Sequence, residues 1–105
     1  MPTMQGTVIV AANGTSLNVL AGQKWEFVAP GAPVSLSATG SANGLNVTFD
    51  AGMLLIDDQE LNTQNRYPLM PDDLLHQGQV PGGRMILRFR NTTPGALTSR
   101  WRVDL

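Results

Sequence analysis

Apolar side chains in this chain recur at every second position. Val8 and Val10, Leu17 and Val19, Trp25 and Phe27, Val34 and Leu36, then Leu45, Val47 and Phe49 follow this rhythm, many of them separated by Thr, Ser, Asn or Glu. A two-residue period sends successive side chains to opposite faces of an extended backbone, so each run predicts a half-buried β-strand. The runs are separated by "ANGT", "LAGQK", "APGAP", "TGSANG" and "DAGM". In these segments glycine supplies positive φ, Asn-Gly favours tight hairpins, and proline excludes pairing in the middle of a sheet. Turns fall about every ten residues, the spacing of a sandwich or barrel. Three more strands are predicted at "MLLID", "RMILRFR" and "TSRWRVDL". The expectation is an all-β single domain over residues 1–105, a β-sandwich or small jelly roll of about eight antiparallel strands.

One segment breaks the rhythm. From Gln59 to Gly83 the chain reads "QELNTQNRYPLMPDDLLHQGQVPGG", with three prolines, and is predicted to be a long crossover loop. Pro71 followed by Asp72 and Asp73 suits the start of one helical turn, because proline fits the first helical position and acids suit the positive N-terminus. Tyr67, Leu69, Met70, Leu74 and Leu75 either fasten this loop to the core or are offered to a neighbour.

Composition narrows the classes. With 42% hydrophobic and 14% charged residues, the chain is too apolar and too weakly charged to stay disordered. No apolar run reaches the roughly 20 residues of a membrane span, so no membrane partner is expected. The opening "MPTMQGTVIVAANG" lacks the basic and long apolar regions of a secretory signal. Without cysteine there is no disulfide framework, thiolate metal site or cysteine nucleophile.

Catalytic chemistry finds little support. His76 is the single histidine, it sits in the predicted loop, and no serine lies in a GxSxG elbow, so a surface or loop-packing role is expected. Asp57, Asp58 and Glu60 form one acidic group and Asp72 with Asp73 another, but no EF-hand spacing relates them, so solvated acids or ion-pair partners are expected rather than a cation site. Neither GxGxxG nor a phosphate-binding loop occurs. The expectation is no enzyme, no catalytic residue, no metal and no cofactor. Asn13, Asn46 and Asn91 match N-x-S/T but are read as turn and strand residues.

Charge is polarised along the chain. Up to Gly83, Lys24 and Arg66 stand against seven carboxylates, a net of −5; beyond it, five arginines stand against Asp104, a net of +4. Alternation in "RMILRFR" sends Met85, Leu87 and Phe89 inward and Arg84, Ile86, Arg88 and Arg90 outward. In "SRWRVDL" it sends Trp101, Val103 and Leu105 inward and Arg100 and Arg102 outward. The eight residues "NTTPGALT" are short enough to close the two strands into a hairpin, which would put all five arginines on one face. Like charges side by side on a sheet cost about 0.2–1 kcal/mol per pair, which an acidic partner offsets. Either the arginines are solvated or pair with the chain's own acidic loop, or they form a protein interface; the interface is the reading preferred, at Arg84, Ile86, Arg88, Arg90, Arg100 and Arg102, met by Asp57, Asp58, Asp72 and Asp73 of another copy. The overall acidity and the single lysine argue against nucleic acid.

The succession "VAANGTSLNVLAGQKWEFVAPGAPVSLSATGSANGLNVTF", "LIDDQELNTQNRYPLMPDDLL" and "ILRFRNTTPGALTSRWRVDL" resembles small virion proteins of bacteriophages, in which one β-sandwich ends in a strand of the "WRVDL" type. The resemblance covers most of the chain and rests on the order and style of segments. It implies a structural part of a particle, a capsid, decoration or vertex component that self-assembles through protein contacts. It also implies location in the virion after synthesis in the host cytoplasm without a signal peptide. The alternative from another class is a small carbohydrate-binding module that uses Tyr67, Trp25 or Trp101 as a stacking platform.

Overall fold

The computed structural model describes residues 3–61, 63 and 73–105. Among them the chain forms eight strands: β1 (Thr3–Val10), β2 (Phe27–Val28), β3 (Pro33–Gly40), β4 (Leu45–Ala51), β5 (Leu54–Glu60), β6 (Leu74–Gln79), β7 (Gly83–Asn91) and β8 (Leu97–Asp104). They make two four-stranded sheets, ordered β1-β8-β3-β6 and β2-β7-β4-β5. Every pairing is antiparallel.

The pairing is nested: β1 lies on β8, β2 on β7, β3 on β6 and β4 on β5. That is one long antiparallel ribbon, turned at the β4–β5 end and rolled so that its successive pairs alternate between two sheets. The result is an eight-stranded jelly roll. The radius of gyration, 12.8 Å, matches the roughly 13 Å of one domain of this length. No helix among the described residues is long and apolar enough to cross a membrane.

Alternation builds the core as the sequence predicts along most strands. Leu45, Val47, Phe49 and Ala51 of β4 and Met85, Leu87 and Phe89 of β7 face Val34, Leu36 and Ala38 of β3 and Trp101 and Val103 of β8, all buried. Gly6 pairs directly with Trp101, and a Cβ at Gly6 would stand 3.0 Å from the indole. The missing side chain on β1 thus leaves room for the largest one on β8. At the turn end, Gly52 (φ 96°) and Gly82 (φ 97°) approach each other so closely that a side chain on either would strike backbone. Gly82 N–H bonds the carbonyl of Ala51 at 3.1 Å across that contact.

The structure corrects four expectations. First, β7 and β8 are not a hairpin. β7 lies between β2 and β4, while β8 lies between β1 and β3 in the other sheet, so "NTTPGALT" carries the chain over the edge of the sandwich. Asn91 holds this crossing: its Nδ2 donates to the carbonyls of Val10 (3.1 Å) and Gly95 (2.8 Å), and its Oδ1 accepts from the N–H (2.9 Å) and hydroxyl (2.7 Å) of Thr93. Such a buried amide satisfies backbone groups that a two-stranded turn would have paired by itself.

Second, residues 17–19 form no strand. Leu17 is 88% exposed, whereas Asn18 is buried and bonds the edge of β7, donating to Met85 O (3.1 Å) and accepting from Leu87 N (2.9 Å) and Leu20 N (3.1 Å). Third, Trp25 is half-buried but Phe27 is 66% exposed, because β2 pairs Phe27 with outward-facing Arg84 and residues directly opposite share a face. Fourth, the predicted loop from Gln59 to Gly83 contains strand β6, which pairs with β3 and includes Leu74, Leu75 and His76. The helical turn expected at Pro71 and Asp72, and Tyr67, Leu69 and Met70, lie outside the described residues. His76 is therefore a strand residue, half-buried, its ring 6.0 Å from that of Phe49.

Candidate protein-interaction face

The outer face of the β2-β7-β4-β5 sheet holds four of the residues that sequence assigned to contact with other protein, Arg84, Ile86, Arg88 and Arg90. On β7, Arg84, Ile86, Arg88 and Arg90 alternate with the buried Met85, Leu87 and Phe89, so all four point away from the core. Register sets their neighbours: Arg84 stands opposite Phe27, Ile86 opposite Asp50, Arg88 opposite Thr48 and Arg90 opposite Asn46. Asp50 in turn stands opposite Leu54, so Ile86, Asp50 and Leu54 form a row across three strands. Phe27 (66% exposed) and Leu54 (48%) flank half-buried Ile86 with apolar surface.

Two of the three arginines are occupied within the chain. Arg84 Nε donates to Glu26 Oε2 at 2.6 Å, and Glu26 Oε1 accepts the N–H of Gly22 at 3.0 Å. The Gly22 amide first, and Arg84 second, hold the Glu26 carboxyl below its ordinary value of 4.5. Arg90 reaches over β4 to Asp58, with Nε to Oδ1 at 3.0 Å and Nη2 to Oδ2 at 2.5 Å. A guanidinium fork on both carboxylate oxygens is the strongest form such a pair takes. It lowers the Asp58 carboxyl below its ordinary 3.8, with a lesser contribution from Asn46.

β5 is built to make that contact. The β4–β5 register shifts twice, between Val47 and Phe49 and between Phe49 and Asp50, and Asp58 has φ 53° with its N–H on Thr48 Oγ1 (3.3 Å). A bulge re-aims a side chain that regular alternation would send elsewhere, and here it turns the carboxylate towards β7. Arg88, exposed between the two occupied arginines, has no ion-pair partner among the described residues.

The remaining predicted interface residues are dispersed. Arg100 and Arg102 lie on the outer face of the other sheet, opposite Thr7 and Gln5, so the sandwich separates them from Arg84, Arg88 and Arg90. Arg102 Nε bonds Asp104 Oδ1 (3.0 Å), two residues along the same strand, and Thr3 Oγ1 donates to the same oxygen (2.7 Å). Asp57 is exposed on β5. Asp58 is engaged by Arg90, Asp73 is fully buried at the entry to β6 and unavailable to another copy, and Asp72 lies outside the described residues.

Among the described residues no three His, Asp or Glu side chains converge as metal ligands would. Trp101 is buried, and the half-buried Trp25 ring carries Lys24 Nζ at 5.4 Å from its centroid. Asn13 sits in a turn with φ 54°, Asn46 on β4, and Asn91 in the buried crossing. Sequence reasoning missed Asn18 and Asn91, which both look like outward strand or turn positions until the two sheets are assembled. No protein-family model, curated protein or solved structure matches the chain.

Proposed function

We propose that this protein is a non-enzymatic viral structural component, a capsid, decoration or vertex protein that acts through protein–protein contacts in the particle. The observation that carries the reading is the nested ribbon of eight strands, a jelly roll, since that architecture recurs in capsid subunits. This is analogy at the level of fold, and the same architecture serves lectins, so the reading leans also on the surface. The segment resemblance to small phage virion proteins points the same way.

The β2-β7-β4-β5 face suits contact with protein. It combines exposed Phe27 and Leu54 with half-buried Ile86, and Arg88, two residues beyond Ile86 on β7, has no ion-pair partner among the described residues. Apolar surface around an arginine is the usual make-up of an interface core. A carboxylate flanked by apolar side chains on a neighbouring subunit is the matching surface. The carbohydrate reading draws little support from the tryptophans, because Trp101 is buried and Lys24 lies over Trp25.

Mass spectrometry of purified virus particles from a lysate that expresses this gene tests the reading. Peptides of the chain should be recovered from the particle fraction in amounts comparable with a structural subunit. Recovery only from the soluble fraction would contradict it.

A further inference from the structure

Two Asn-Gly pairs occur in the chain, Asn13–Gly14 and Asn43–Gly44. Each sets an exposed asparagine, a chemically labile residue, before a glycine whose nitrogen no side chain screens. The fold treats the two pairs differently. At the first, Gly14 N–H donates to the Ala11 carbonyl (3.0 Å), Asn13 N–H donates to that of Thr93 (2.9 Å), and the Gly14 carbonyl accepts from Asn91 N–H (2.8 Å). Backbone held at three points cannot bring the Gly14 nitrogen onto the Asn13 side chain without local opening.

At the second, Asn43 and Gly44 lie in the turn between β3 and β4, and no described residue accepts a hydrogen bond from Gly44 N–H. The turn is fixed on either side instead. Ser41 N–H donates to the Thr98 carbonyl (2.9 Å) and Ser41 Oγ accepts from Thr98 N–H (3.0 Å), while the Gly44 carbonyl accepts from both the N–H (2.8 Å) and the hydroxyl (2.9 Å) of Thr92. Thr92 belongs to the crossing from β7 to β8, and Thr98 to the start of β8. Between the two anchors stand Ala42 and Asn43, both exposed.

We propose that Asn43 is a site of spontaneous deamidation whose product loosens the crossing between β7 and β8. Hydroxide takes the Gly44 amide proton, and the nitrogen attacks Cγ of Asn43. The side-chain amide leaves as ammonia after taking a proton from water, which restores the hydroxide. Water then opens the resulting succinimide at either carbonyl. One opening gives aspartate; the other gives isoaspartate, in which the main chain runs through Cβ and Cγ and is one carbon longer. Both carry a new negative charge. Bond geometry fixes the reach of so short a segment, so an added carbon between Ser41 and Gly44 cannot be absorbed with both anchors kept. The Thr92 anchor adjoins the altered bond and is the one released. Gly44 also packs against Thr93, where a Cβ would find no room, so the lengthened chain must bulge away from the crossing. Neither step depends on the viral reading.

Peptide mapping by mass spectrometry tests it on the full chain, aged in mildly alkaline buffer with and without urea. In the folded chain, aspartate and isoaspartate should accumulate at Asn43 at least about tenfold faster than at Asn13. In urea the two should react at similar rates, because the hydrogen bonds around Gly14 are gone. Hydrogen exchange gives a second readout: the Thr92 amide should exchange faster in the aged protein. Asn43→Gln, whose longer side chain closes the ring far more slowly, should keep that amide protected after the same treatment. Asn43 left intact, equal rates at the two asparagines in the folded chain, a preference for Asn43 that persists in urea, an unmoved Thr92 amide, or lost protection in aged Asn43→Gln would each overturn the proposal.

Discussion

Arg90 grips Asp58 across the whole width of β4, two hydrogen bonds joining strands that do not touch each other in the sheet. The contact converts the centre of the predicted basic face into an internal clamp. It also makes the chain's response to acid specific. The Asp58 carboxyl titrates below its ordinary 3.8 in the folded state, chiefly because of Arg90. A depressed folded-state pKa contributes stability that is fully present above the unfolded value and is lost as pH falls through the folded one. Glu26, held down by Gly22 and Arg84, adds a second contribution with the same sign below its ordinary 4.5. Urea midpoints should therefore drop as pH falls below about 5, and Asp58→Asn should drop less than the unaltered chain. An equal drop would remove Asp58 from the account. Added salt should shrink the difference, since the Arg90 and Asp58 side chains are 46% and 39% exposed and screening acts within about 8 Å.

Trp101 and Gly6 give a sharper test of the core. Trp101→Ala should cost about 3–5 kcal/mol in urea denaturation, the range for removing a buried large side chain. Gly6→Val should cost about 1–3 kcal/mol, because the new side chain must enter space held by the indole. Tryptophan emission of the unaltered protein should be blue-shifted, with Trp101 the fraction resistant to aqueous quenchers. A loss below about 1 kcal/mol for Trp101→Ala would put that ring at the surface.

Asn18 tests how the broken edge of the second sheet is held. Its amide satisfies Met85 O, Leu87 N and Leu20 N, all in a buried setting. Each backbone group left buried and unpaired costs about 1–3 kcal/mol, so Asn18→Ala should lose at least about 2 kcal/mol. Leu17→Ala, one residue away and 88% exposed, should change stability by no more than about 0.5 kcal/mol. The two losses being equal would show that alternation, not the amide network, governs this segment.

These contrasts explain what was legible in the sequence. Alternation in "LNVTF", "RMILRFR" and "TSRWRVDL" reports which side of a strand is inward, a local property, and those assignments hold for Val47, Leu87 and Trp101. It cannot report which sheet a strand joins. Arg88 and Arg100 are twelve residues apart and look like neighbours on a hairpin, yet nested pairing sends their strands to opposite sheets. β6 escaped notice because "LLHQGQ" has no clean alternation, its own burial being exposed and half-buried by turns. The β5 bulge that aims Asp58 at Arg90 is a register event and leaves no mark in composition.

Association with a neighbouring subunit through the β2-β7-β4-β5 face is the central claim, and Arg88 is its most direct handle. Arg88→Glu should leave the β spectrum intact and stability within about 0.5 kcal/mol, because the side chain is exposed and unpaired among the described residues. Charge reversal at a carboxylate contact costs several kcal/mol of affinity. Particle incorporation of the Arg88→Glu protein, measured against the unaltered chain in the same complementation assay, should therefore fall at least tenfold, roughly 1.4 kcal/mol or more. Equal incorporation of the two proteins would contradict the claim.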